Sequence, residues 1–241
     1  MPGTAEQVEV GDELWFGTPP GWIELAAHDG DEAAIAWFDR LLAQTPDAFD
    51  DRTLADLRAR FLQARGAVPR DGITSAGVLV TTTEADEITA WQFTLAVVDM
   101  PPSGDVNVMA VIERYLESDE GRRPLGGDDF VETFQTDDGR DGVAVHTTAA
   151  SEQPAEILAN LPTADPGRLG VVHAAVRLNR PRSADHDRVL VLTAVCPRPY
   201  ERLALAVVAA SVVLSARLRD GDAAPLPGRV DLDATGAGRD R

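Results

Sequence analysis

Four histidines, one cysteine and the acidic residues around them are the groups in this chain with acid–base or metal chemistry, and their spacing decides what they can do. His186 lies between Asp185 and Asp187, an imidazole and two carboxylates of the kind a divalent cation takes. Neighbouring side chains on an extended chain point to opposite sides, so these three do not converge, and the stretch reads as a polar turn. His28 beside Asp29 and Asp31 fails in the same way. Those aspartates instead favour the positive end of a helix dipole. His146 and His173 each interrupt an apolar stretch. If their strands pair, the two rings are expected to share a face, where a histidine with Glu132 or Asp129 nearby has the parts of a general base. The competing reading is a hydrogen-bonded core or edge histidine, and it is favoured because no nucleophile motif accompanies the pair: no serine stands in a Gly-x-Ser-x-Gly setting.

The remaining motifs exclude more than they offer. The lone Cys196 rules out an internal disulfide and any cysteine-cluster metal site, and it ends Val-Leu-Val-Leu-Thr-Ala-Val-Cys, which reads as the end of a buried strand. Pro-Leu-Gly-Gly-Asp-Asp at 124–129 lacks a strand before it and a helix after it, so it is no phosphate cradle, and Arg122 and Arg123 beside it read as loop charges. All 22 basic residues are arginine, a bias expected of a high-GC genome. Without lysine, Schiff-base catalysis, a P-loop and a kinase-type site are excluded. The expectation is therefore no catalytic residue, no metal site and no cofactor.

Charge points to a different kind of partner. The formal net charge is −18, and residues 1–60 hold 13 acidic against 4 basic side chains, a local balance of −9. Such a field repels phosphate backbones and anionic lipid, so nucleic acid and membrane surfaces are poor partners and a basic protein surface is a good one. Asp47, Asp50 and Asp51 form the acidic cluster chosen as the candidate binding surface; solubility is the plainer explanation for the same charge. The first residues have neither a positive segment nor an apolar one, so no signal peptide is expected. The longest apolar run, 203–216, is too short to span a bilayer. Cytoplasm is the expected compartment, and the sequence carries no sign of oligomeric state.

The elements that must hold these residues follow from periodicity. Leu14–Phe16 and Trp22–Leu25 read as short strands broken by Pro19, Pro20 and Gly21, with the two tryptophans anchoring the chain in a core. Residues 31–66 read as a helical hairpin, the second helix capped by Thr45 before Pro46. Residues 76–83 and 88–99 form a hairpin with Trp91, Phe93, Leu95 and Val97 on one face. A helix is expected over 106–118, then strands over 130–137 and 142–150 joined through Asp138-Gly139 and Asp141-Gly142. Residues 150–169 read as irregular, with a short helical turn at 154–161. The last hairpin pairs 171–179 with 188–196; the second of these strands is apolar on both faces and so central. Tyr200 to Arg219 reads as a helix, apolar nearly all round and buried. Residues 220–241 read as a disordered tail after a single α+β domain over 1–219.

Pro-Pro-Gly-Trp-Ile-Glu-Leu at 19–25 and the closing run from Val189 to Leu218, a central strand ending in a small residue and proline before a helix, resemble the Mog1/PsbP-like family. The resemblance implies an antiparallel sheet flanked by helices on both faces, an α/β (α+β) sandwich, here with the 31–66 hairpin inserted. It also implies a binding role. No functional residue carries over. The expected function is a non-enzymatic adaptor or secretion-accessory protein; the alternative is a small histidine-based hydrolase or metal-dependent enzyme.

Overall fold

The computed structural model describes residues 6–10, 14–26, 30–44, 49–68, 72–82, 88–100, 108, 110, 129–150, 168–178 and 187–218. Along them run strands β1 (Glu6–Val10), β2 (Leu14–Thr18) and β3 (Trp22–Glu24), then helices α1 (Asp31–Leu42) and α2 (Asp51–Gly66). Strands β4 (Ser75–Thr82), β5 (Ile88–Met100), β6 (Phe130–Gln135), β7 (Asp141–Ala150), β8 (Arg168–Arg177) and β9 (Asp187–Cys196) follow. A 3₁₀ turn over Pro199–Glu201, helix α3 (Arg202–Ser215) and strand β10 (Arg217–Leu218) complete the order. Seven strands form an antiparallel sheet in the order β3-β4-β5-β9-β8-β7-β6, and β1, β2 and β10 form a second, smaller one. The described residues form a mixed α+β structure built on a large antiparallel sheet, with few helices among them.

β9 is the middle strand of the seven, as its two apolar faces require. Leu190, Leu192, Ala194 and Cys196 point to one side, where they pack with Leu205, Ala209, Val212 and Val213 of α3 and with Leu14, Phe16 and Leu218 of the small sheet. Val189 and Val191 belong to a separate cluster with Val143, Val145, Ala175 and Val108. A third cluster joins α1 and α2 to Leu25 and Ala76, with the rings of Phe38 and Phe61 stacked 4.4 Å apart. Arg65 fastens this hairpin to the sheet by donating from Nη1 to the Leu25 carbonyl at 2.5 Å.

The Pro-Pro-Gly turn does something that alternation does not reveal. β2 and β3 flank it but do not pair; β2 lies in the small sheet and β3 at the end of the large one. Gly21 takes φ 86°, the left-handed region that glycine enters without strain, and this lets the chain pass between sheets. Trp22 then lies against Gly77 of β4, so closely that a Cβ there would sit 2.2 Å from the indole. Its ring packs 5.2 Å from that of Phe93.

Two expectations are corrected. Helix α2 begins at Asp51 and is capped by Asp50, not by Thr45, because the Asp50 carboxylate accepts from the Thr53 amide at 2.7 Å. The last helix ends at Ser215, and the residues after it turn into β10, whose Leu218 pairs with Leu14. Of the helix expected over 106–118, Val108 and Ala110 are helical. The rest of it, Thr45, Asp47, the 151–167 segment, the hairpin tip at 179–186 and the tail from 220 lie outside the described residues.

Candidate functional site

The strand register decides which histidine meets which partner. Phe130 pairs with His146 and Glu132 with Ala144, so Phe130, Glu132 and His146 share the side of the sheet on which α3 packs. The rings of Phe130 and His146 stack with centroids 4.0 Å apart and planes inclined by 14°. The Glu132 Oε2 lies 3.7 Å from His146 Nε2. Arg202, at the start of α3, places Nη1 3.8 Å from Asp129 Oδ1 and its guanidinium 6.0 Å from the centre of the Phe130 ring.

His146 is 3% exposed, and neither ring nitrogen has a hydrogen-bond partner among the described residues. Burial pushes its pKa below the ordinary histidine value; Glu132 opposes that and Arg202 adds to it. The ring is accordingly neutral at neutral pH. A neutral imidazole beside a carboxylate is half of a general-base arrangement, but it requires a nucleophile. Cys196 is not one. Its thiol is fully buried, donates to the Arg198 carbonyl at 3.2 Å, and burial pushes its pKa up to about 12. Among the described residues, no group of three His, Cys, Asp or Glu side chains is placed to hold a metal ion.

His173 does not join this group, contrary to expectation. β7 and β8 do pair, but His146 stands opposite Val172 and His173 opposite Val145. Directly opposed residues share a side and successive residues alternate, so the two rings lie on opposite faces of the sheet. His173 Nδ1 instead lies 3.0 Å from Thr193 Oγ1. His28 and His186 fall outside the described residues.

The acidic cluster divides in the same way. Asp50 is committed to the α2 cap, and its bond to Thr53 holds the carboxyl below the usual aspartate range. Asp51 is the exposed first residue of α2.

Two other carboxylates, Glu24 and Glu201, were not singled out from the sequence and are almost wholly buried. Glu24 accepts from Trp22 Nε1 and the Ala26 amide, each at 3.0 Å, and from the Ser75 hydroxyl; burial raises its pKa despite these bonds. Glu201 accepts from Trp91 Nε1 at 2.8 Å, Thr89 Oγ1 at 3.0 Å and Arg198 Nη1 at 3.1 Å. The Trp-x-Glu spacing of Trp22 and Glu24 was a usable signal, since residues two apart on a strand share a side. Trp91 and Glu201 are 110 positions apart, and only the fold brings them together.

The largest departure from the sequence reading lies on α3. The side of the helix turned away from the sheet carries Leu203 (64% exposed), Val207 (71%) and Leu214 (39%), and Tyr200 (66%) lies exposed in the 3₁₀ turn just before it. Positions 203, 207 and 214 follow helical spacing, and Ala204 and Ser211 lie exposed among them. From Leu203 to Ala216 the chain has no charged residue. The helix is thus apolar all round, as read, but buried on one side only. Exposed apolar side chains gathered on one face mark an interaction surface more often than scattered ones do. No protein-family model and no curated protein matches the chain.

Proposed function

We propose that this chain is a non-enzymatic adaptor that works in the cytoplasm and binds another protein through the outer side of α3, helped by its acidic surface. The single observation that carries the reading is the row Leu203, Val207 and Leu214, exposed on a helix face without charge, with Tyr200 exposed in the turn before it. The reading includes the Mog1/PsbP-like sandwich with helices on both faces. Its support is the alternation along β4, where Leu79 packs in the cluster that contains α3 and Ala76 in the cluster that contains α1 and α2.

Magnitudes limit what the row does alone. Fully exposed, the three aliphatic side chains would contribute roughly 4.5–9 kcal/mol on burial at about 1.5–3 kcal/mol each, and being already partly covered they contribute less. Association costs about 4–15 kcal/mol before any contact is counted. The row therefore supplies a foothold and leaves affinity to neighbouring contacts. The net charge of −18 makes a basic partner the favourable one and speeds encounter with it.

The histidine-centred alternative rests on the 3.7 Å approach of Glu132 to His146. The buried Cys196 thiol offers that pair no nucleophile, so it stands second.

The test is capture of partners by the wild-type chain and by Val207→Glu in parallel, identification of proteins lost with the variant, and reconstitution of the purified pair. The reading expects a basic protein that binds the wild type and not the variant. Equal binding to both overturns it.

A further inference from the structure

Among the described residues strand β6 ends the seven-stranded sheet, and of the usual protections of an exposed edge its sequence carries only one charged side chain, Glu132. Phe-Val-Glu-Thr-Phe-Gln contains no proline and no lysine. Its pairing with β7 runs unbroken from Phe130 opposite His146 to Gln135 opposite Asp141, so no bulge twists it away. Every residue of the strand is exposed except Phe134, which is half-buried. The other end strand, β3, has only three residues, a common way of blunting an edge.

The side chains around β6 state the chemistry of its occupant. Phe130, Glu132 and Phe134 point to the α3 side, and Val131, Thr133 and Gln135 to the other. Glu132 is well exposed, and Asp137 and Asp141 lie exposed at the adjoining turn. We propose that β6 takes an extended segment of a basic partner as an added antiparallel strand, with arginine or lysine side chains toward Glu132 and apolar ones toward Val131. Main-chain hydrogen bonds give such strand addition its affinity, and alternate side chains give its specificity. Opposite charges across a strand pair stabilise it and like charges do not. A second copy is therefore the poorer occupant, since it brings the same acidic residues and the same −18 charge. The proposal rests on the adaptor reading and adds the form of the partner's basic element.

The probe is an acetylated, amidated peptide of about seven residues, a usual strand length, alternating arginine and valine, titrated against the full chain. A matched peptide, N-methylated at alternate residues so that one edge loses its donors, keeps the charge. Binding is expected to fall by about tenfold or more with N-methylation, because several main-chain bonds are lost. It should also fall several-fold with Glu132→Gln, and hydrogen exchange should slow within 130–135. Equal binding of the two peptides, protection only elsewhere, or a free protein already dimerised through 130–135 overturns the proposal. Gln63→Ala, at an exposed neutral position on α2, should leave peptide binding unchanged. If the peptide fails while partner capture still depends on Val207, the edge proposal falls and the adaptor reading stands; the opposite pattern sinks the adaptor reading alone.

Discussion

Trp22 Nε1 donates to Glu24 Oε2 across 3.0 Å, two residues along the same strand, with the indole lying over Gly77 of the neighbouring strand. One side chain thus fills the core and satisfies a buried carboxylate. Trp22→Ala is expected to cost about 3–5 kcal/mol, as truncation of a buried tryptophan does. Gly77→Ala should cost about 1–3 kcal/mol, because its Cβ meets a ring held in place from both sides. Denaturant midpoints check both. A Trp22→Ala protein of wild-type stability would contradict the anchoring role.

The buried ring of His146 makes stability depend on pH in a definite direction. Its folded pKa lies below the unfolded value of 6.5. As pH falls through that value, the unfolded chain binds a proton that the folded chain refuses, so this contribution is full above about pH 6.5 and is lost below it. The slope from one such group is at most about 1.4 kcal/mol per pH unit. His146→Phe should lose less stability than the wild type between pH 7.5 and 5.5. Identical losses in urea titrations would count against the placement of the ring.

Cys196 should be silent toward thiol reagents in the native protein. It is fully buried, with its pKa pushed up to about 12, and the thiolate is the reactive form. Labelling with iodoacetamide at neutral pH should proceed only at the rate of unfolding and become fast in denaturant. Rapid labelling of the folded chain would contradict the burial.

Much of the fold was legible because alternation survives burial. Trp91, Phe93 and Leu95 mark one face of β5, the doubly apolar β9 reads as central, and Asp138-Gly139 marks the β6–β7 turn. Three features were not legible. Pro19-Pro20-Gly21 ends a strand whether the next one pairs with it or joins another sheet. Thr45 and Asp50 are both sound caps, and only the geometry at Thr53 selects Asp50. An all-apolar helix such as α3 has no polar side from which to read which face the sheet will cover. The histidines failed for a simpler reason. Parity alone separates His146 from His173, and parity cannot be applied until the register is known.

Asp50 and Asp51 should separate under substitution. Asp50→Ala removes the α2 cap and should lower thermal stability measurably; Asp51→Ala, at an exposed first-turn position, should lower it less. Melting curves of the two variants compared directly give the answer, and the reverse order would contradict the capping assignment.

The central claim is that the outer side of α3 binds a protein partner. The most direct measurement is equilibrium binding of the purified, identified partner to the wild type, to Leu203→Glu and to Val207→Glu, with melting temperatures recorded for each. Both side chains are largely solvent-exposed, so the account predicts unchanged melting temperatures and a loss of binding of at least about tenfold, more than 1.4 kcal/mol. Undiminished binding by two folded variants would contradict it.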